Sequence, residues 1–187
     1  MSYCLWYHIP DESSSFDYSS FKVVCNFTTK EDVDIIFKYF TKEWFSKGFY
    51  IVTKTDCSPV LEDNRNSNSI SFISFMQNRN TNEESAYMLW RSLMYNLVNK
   101  TLLNNKYTSD SVIAIKSTPK SSKKVTFNIW INSDIYAYDC REIISHSFHR
   151  FNLKHMVFIK GNPNPYRFSN NDVKINRSNE MKRMYKN

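Results

Sequence analysis

Glycine is almost missing from this chain, two residues in 187. A glycine-rich phosphate loop or a dinucleotide fingerprint needs several glycines where backbone N–H groups approach phosphates, so both are excluded, and no Ser/His/Asp signature stands in for them. Cysteine is scarce and irregularly spaced. The four, at positions 4, 25, 57 and 140, make neither a secreted disulfide framework nor a close metal-binding pair, and read as reduced thiols of a cytosolic protein. No apolar run approaches the roughly twenty residues of a membrane span, and the first residues are too polar for a signal peptide. These absences argue for a soluble, cytoplasmic protein that is not an enzyme and needs no cofactor, metal or membrane. The best metal candidate, Cys140, His146 and His149 on one expected helix with His155 close behind, fits no established ligand spacing.

What the chain has is positive charge and rings. Lys and Arg outnumber Asp and Glu by 25 to 18, for a formal net charge of +7 and a pI near 9.2, which favours a polyanionic partner. Aromatic residues make up 16% of the chain, and flat side chains are the sequence-tolerant way to hold an unpaired base. At 41% hydrophobic content, 187 residues bury one core of ordinary size. The abundance of Asn, Lys, Ser, Tyr, Phe and Ile resembles translation of an AT-rich genome.

Alternating or β-branched runs predict strands over 3–8, 21–27, 49–54, 69–76, 111–116, 125–131 and 154–159. Thr28-Thr29-Lys30-Glu31 has the form of a capping box with Thr28 as cap, predicting a helix from there to about Gly48. Tyr87, Trp90, Leu93, Met94 and Leu97 recur at helical spacing in a second helix from Asn82. Asp139-Cys140-Arg141-Glu142 opens a third, to about Asn152. The polar stretch from Ser117 to Lys124 reads as the basic tip of a hairpin. After Gly161 periodicity is lost. The expectation is one domain over 1–168 and a basic, flexible tail over 169–187.

The stretch Ser58-Pro59-Val60-Leu61-Glu62-Asp63 places an acidic pair on a loop between aromatic and lysine-rich segments. A carboxylate beside rings can accept from the two adjacent N–H donors on the Watson–Crick edge of guanine while lysines hold phosphates. Taken in order, Leu5-Trp6-Tyr7, Phe27-Thr28 with Glu31-Asp32, Pro59 to Asp63, Trp90 and Ile129-Trp130 resemble the cap-binding translation initiation factor 4E family over residues 3–160. The resemblance implies an α+β fold: a curved antiparallel sheet with three helices on its convex face and a slot for the 7-methylguanosine cap of mRNA on the concave one. It implies that Phe16, with Tyr18 as rival, supplies one stacking ring, and that Glu62 reads guanine while the Leu61 N–H serves O6. Trp130 would touch the N7-methyl group. Lys116 would bind phosphate, with Lys120, Lys123 and Lys124 on the hairpin tip. Where the family has a second stacking tryptophan, this chain has Leu61.

The family's convex surface docks adaptor helices on apolar residues. The matching positions here are Lys30, Asp34 and Arg91, so the implied partner is a dedicated adaptor, with the protein monomeric outside that complex. The amino-acid bias points to a virus- or parasite-encoded homologue acting in the host cytoplasm. Two other readings stand beside cap binding: a scaffold of the same fold that acts by protein contacts, and a general single-stranded RNA binder. The stretch from Lys160 to Asn171 is a candidate reader of the nucleotide after the cap.

Overall fold

In the computed structural model, the described residues are 1–8, 18–60, 63, 66, 70–78, 83–104, 109–121, 124–132, 144, 148, 151 and 154–160. They contain strands β1 (Tyr3–His8), β2 (Phe21–Phe27), β3 (Phe49–Lys54), β4 (Ile70–Asn78), β5 (Val112–Ser121), β6 (Lys124–Asn132) and β7 (Lys154–Lys160), and helices α1 (Lys30–Tyr39), α2 (Lys42–Lys47) and α3 (Glu83–Val98). The strands form one sheet in the order β2-β1-β3-β5-β6-β4-β7, each antiparallel to its neighbours.

Alternation decides what each face of the sheet meets. On one face Leu5, Tyr50, Val52, Ile73, Phe75, Ile115, Phe127 and Ile129 join Val33 of α1, Phe45 of α2 and Leu89, Trp90, Leu93 and Leu97 of α3 in the main core. Phe127 and Phe75 stack there with ring centroids 5.6 Å apart. On the other face Cys4, Trp6, Ile51, Phe72, Ala114 and Trp130 make a second, smaller cluster that no helix covers among the described residues. This open face holds the candidate site.

The helix expected from Thr28 to Gly48 is two helices, and its cap lies one residue later. Asp32 supplies the reason, because its short carboxylate accepts from the N–H groups of both Thr28 and Thr29, at 2.8 and 2.9 Å. The Thr29 hydroxyl accepts from Asp32 N in return, so Thr29 is the cap. Those backbone bonds hold the Asp32 carboxyl below the usual carboxylate range. Phe40 then leaves helical geometry to turn its ring into the core, 4.8 Å from that of Tyr50, and the Thr41 hydroxyl caps α2 by accepting from Trp44 N at 3.3 Å. A second correction concerns the hairpin. The stretch Ser117 to Lys124 is strand on both sides, β5 running to Ser121 and β6 starting at Lys124. Its pairing is irregular between Pro119 and Ser121, beside a residue that has no N–H to give the ladder. The helix expected over 139–152 falls outside the described residues, except that Ile144 bridges Leu103 and that Phe148 and Phe151 pack on the main core.

The scarcity of glycine has a visible counterpart. The end of α3 is closed by Thr101 N–H to Asn96 O and Lys100 N–H to Leu97 O, a turn that places its left-handed residue at Lys100, with φ 58°. At Gly48 the requirement is space. A Cβ there would stand 2.3 Å from Tyr7 Cε2 and 2.6 Å from Tyr50 Cζ, two stacked rings, and the Tyr50 hydroxyl is tied to Trp44 O at 2.9 Å. Gly48→Ala is therefore expected to cost about 1–3 kcal/mol in urea denaturation, as overpacking does. An unchanged midpoint would show that the rings yield freely.

Candidate functional site

The floor of the open face is aromatic. Trp130 is 3% exposed and lies edge-on to Phe72, with ring centroids 6.1 Å apart and planes at 85°. Trp6 donates from its indole Nε1 to Thr53 Oγ1 at 2.9 Å, and the Thr53 hydroxyl donates in turn to Cys57 O at 3.3 Å. The chain of bonds locks the indole and reaches from the sheet into the following loop. Tyr18, 45% exposed in a single helical turn before β2, meets Trp6 edge-on with centroids 5.6 Å apart. Tyr18 is thus a solvent-facing ring at the margin of this cluster. Phe16 lies outside the described residues.

The loop after β3 is fastened over the same cluster. Cys57 and Val60 pack against it. Asn66, 5% exposed, does the fastening: its Oδ1 accepts from Ser58 N at 3.0 Å, and its Nδ2 donates to Ser58 O at 3.2 Å and Val60 O at 2.6 Å. Asp63 N–H closes on Val60 O at 3.2 Å, and Asn66 N–H on Asp63 O at 2.9 Å. The two residues between those anchors, Leu61 and Glu62, lie outside the described residues. Nothing in the sequence separates Asn66 from its neighbours Asn64 and Asn68, so its role was not legible there.

Beyond Trp130 the open face turns polar. The pairs Ala114–Trp130, Lys116–Asn128 and Thr118–Thr126 follow one another along β5 and β6, and Ser121 pairs with Lys124 at the end. Lys116 Nζ rests 4.5 Å from the centre of the Phe49 ring, a cation held on an aromatic face. Lys124 is exposed, Lys120 belongs to β5, and Lys123 lies outside the described residues. Neither strand carries an acidic residue. Of the residues expected at the site, Tyr18, Trp130, Lys116, Lys120 and Lys124 are described, and the fold gathers Tyr18, Trp130, Lys116 and Lys124 on one face. Trp6, Phe49 and Phe72 complete it.

On the helix-covered side, Asp34 of α1 and Arg91 of α3 are 2.8 Å apart, and the Tyr95 hydroxyl donates to the same carboxylate. Those two donors hold the Asp34 carboxyl below the usual range, the Tyr95 bond most strongly. The guanidinium lies over the rings of Phe37 and Tyr95, at 5.7 and 5.6 Å. Lys30 is exposed and 3.7 Å from Glu31. A shallow cleft along α3, lined by Met88, Arg91, Ser92, Tyr95 and Asn96, adjoins this pair.

The chain superposes on a schistosome eIF4E bound to m7GpppA and 4E-BP, with a TM-score of 0.66, 19% identity, and 90% of this chain and 91% of that one covered. The fold is that of translation initiation factor 4E. Ascaris suum eIF4E-3 in complex with the m7G cap is similar over 72% of each chain, with a TM-score of 0.59 and 17% identity. Caenorhabditis elegans eIF4E-3, solved with the 4E-binding protein Mextli and a cap analogue, is similar over 81% of this chain and 76% of that one, with a TM-score of 0.55 and 15% identity. No protein-family model and no curated protein matches the sequence.

The Asn66 clamp makes a local prediction. Asn66→Ala removes both halves of a buried amide and leaves Ser58 and Val60 groups to find other partners, at an expected cost of about 1–3 kcal/mol. Hydrogen exchange at Val60 and Asp63 is expected to speed up while β3 and β6 are unaffected. Uniform loss of protection through the sheet would mean that Asn66 acts on the whole fold.

Proposed function

We propose that this protein binds the 7-methylguanosine cap of mRNA on the open face of the sheet and acts in translation initiation. The observation that carries the reading is the order of surfaces on that face. An aromatic floor of Trp6, Phe72 and Trp130 is bordered by the exposed Tyr18 and by the clamped loop that leads into Leu61 and Glu62, and it passes into a strip of Lys116, Asn128 and Lys124 without a carboxylate. A methylated, cationic guanine finds rings on one side and its phosphates find donors on the other. Each base–ring contact is worth roughly 1–3 kcal/mol. Glu62 is the guanine reader. Its carboxylate accepts from N1–H and the N2 amino group, and the Leu61 N–H serves O6. Phe16 or Tyr18 stacks on one side of the base; Leu61 offers only methyl contact on the other. The phosphates meet Lys116 first, then Lys120, Lys123 and Lys124. No step of bond-making chemistry is needed, in keeping with a fold whose family is not enzymatic. The place of action is the cytoplasm, and a virus- or parasite-encoded homologue there fits the composition.

Titration of the Glu62→Ala variant with 7-methyl-GTP tests this. Loss of a charge-assisted pair of hydrogen bonds is expected to weaken binding by about 10- to 100-fold. Unchanged affinity would remove Glu62 from the site. A general RNA binder would instead show affinity insensitive to the cap and steeply dependent on salt.

The helix-covered side favours a distinct partner. Adaptor helices of the family dock on apolar residues, and here Asp34 and Arg91 close an ion pair at that place. A scaffold acting by protein contacts would use the same side. A peptide carrying the usual adaptor motif is expected to bind weakly, and a nanomolar complex in a fluorescence titration would contradict the proposed dedicated adaptor.

A further inference from the structure

We propose that Thr118 and Thr126 contact phosphate: their facing hydroxyls take the far part of the phosphate chain of a capped nucleotide whose base lies towards Trp130. The inference rests on the cap-binding reading. The two residues are direct partners across β5 and β6, one rung beyond Lys116 and Asn128 and two beyond Ala114 and Trp130. Trp130 and Ala114 belong to the open-face cluster, and alternate residues of a strand share a face, so all three rungs lie on the open side. Rungs repeat every two residues, about 6.7 Å, which sets the threonine pair about 13 Å from the tryptophan. A ribose and a run of phosphates extend over that kind of distance, whereas a single phosphate ends near the first rung.

Thr118 Oγ1 and Thr126 Oγ1 are both buried, and neither has a hydrogen-bond partner among the described residues. Buried hydroxyls are nearly always bonded, and a facing pair that bonds neither each other nor a neighbour is a pair in reserve. A hydroxyl proton turns to meet whatever acceptor arrives, and phosphate oxygens are acceptors only. Threonine is short and stiff about χ1, so the sheet fixes where these oxygens stand, which a lysine stem does not. With the Lys116 ammonium and the Asn128 amide they form a run of donors on two strands that have no acidic residue. Both threonines are only half-buried as residues, so their hydroxyls lie just beneath the surface that a phosphate meets.

The test is a Thr118→Val/Thr126→Val double variant, which keeps side-chain shape. Wild type and variant are titrated calorimetrically with 7-methyl-GTP, 7-methyl-GMP and inorganic tripolyphosphate. The affinity for 7-methyl-GTP is expected to fall about ten-fold or more, with that for 7-methyl-GMP within about two-fold of wild type. Equal losses for both nucleotides, or no loss for either, overturn the proposal. The variant should melt at or above the wild-type temperature, because two unbonded hydroxyls have become methyls, and a large fall would mean that they serve the fold. If wild type binds neither nucleotide, the cap reading fails separately and tripolyphosphate decides. Weaker binding by the variant upholds the phosphate contact, and equal or absent binding overturns it.

Discussion

Ile129 and Trp130 are neighbours in sequence and lie on opposite faces of the sheet, and the register of β6 between β5 and β4 is what puts them there. A slip of one residue would send Trp130 towards the helices and Ile129 to the open face. Asn128 and Thr126 would leave the open face with Trp130. The register is secured by what each face buries. Phe127, Ile129 and Ile131 are closed into the main core against α3, so no alternative pairing keeps that core filled. The open face inherits its order of groups from this constraint.

The same economy shows in the loops. With two glycines in the chain, turns are held by side chains rather than by backbone freedom. Asn66 binds three backbone groups of the loop that leads to Glu62, Thr53 links that loop to the indole of Trp6, and Asp32 gathers two N–H groups at the start of α1. The base-reading role proposed for Glu62 needs a fixed approach, and a loop tied to the aromatic floor provides one better than a free loop. On the far side, the Asp34–Arg91 pair ties α1 to α3.

Much of this was legible in sequence because period carries it. The strands fell within a residue or two at most ends, and the stripe of Trp90, Leu93, Met94 and Leu97 marked the buried side of α3. The failures have physical causes. A capping box can be written with either Thr28 or Thr29, and only the reach of Asp32 decides between them. Thr118 is polar because it faces the open side, so the end of β5 that carries it reads as a loop. The Trp6–Thr53 bond connects residues far apart in sequence, and the Asn66 bonds close an irregular loop that has no periodic signal. Of the expected site, Tyr18, Trp130, Lys116 and Lys124 come together on the open face because the strand register puts them there, while Phe16, Leu61, Glu62 and Lys123 lie outside the described residues.

The claim at the centre is that the open face reads a methylated guanine. Calorimetric titration of the purified protein with 7-methyl-GTP and with GTP, at one salt concentration, tests it most directly. The account predicts a clear preference for the methylated nucleotide, because methylation makes the base cationic and adds attraction to the rings. Equal affinity for the two, or no binding of either, would contradict it.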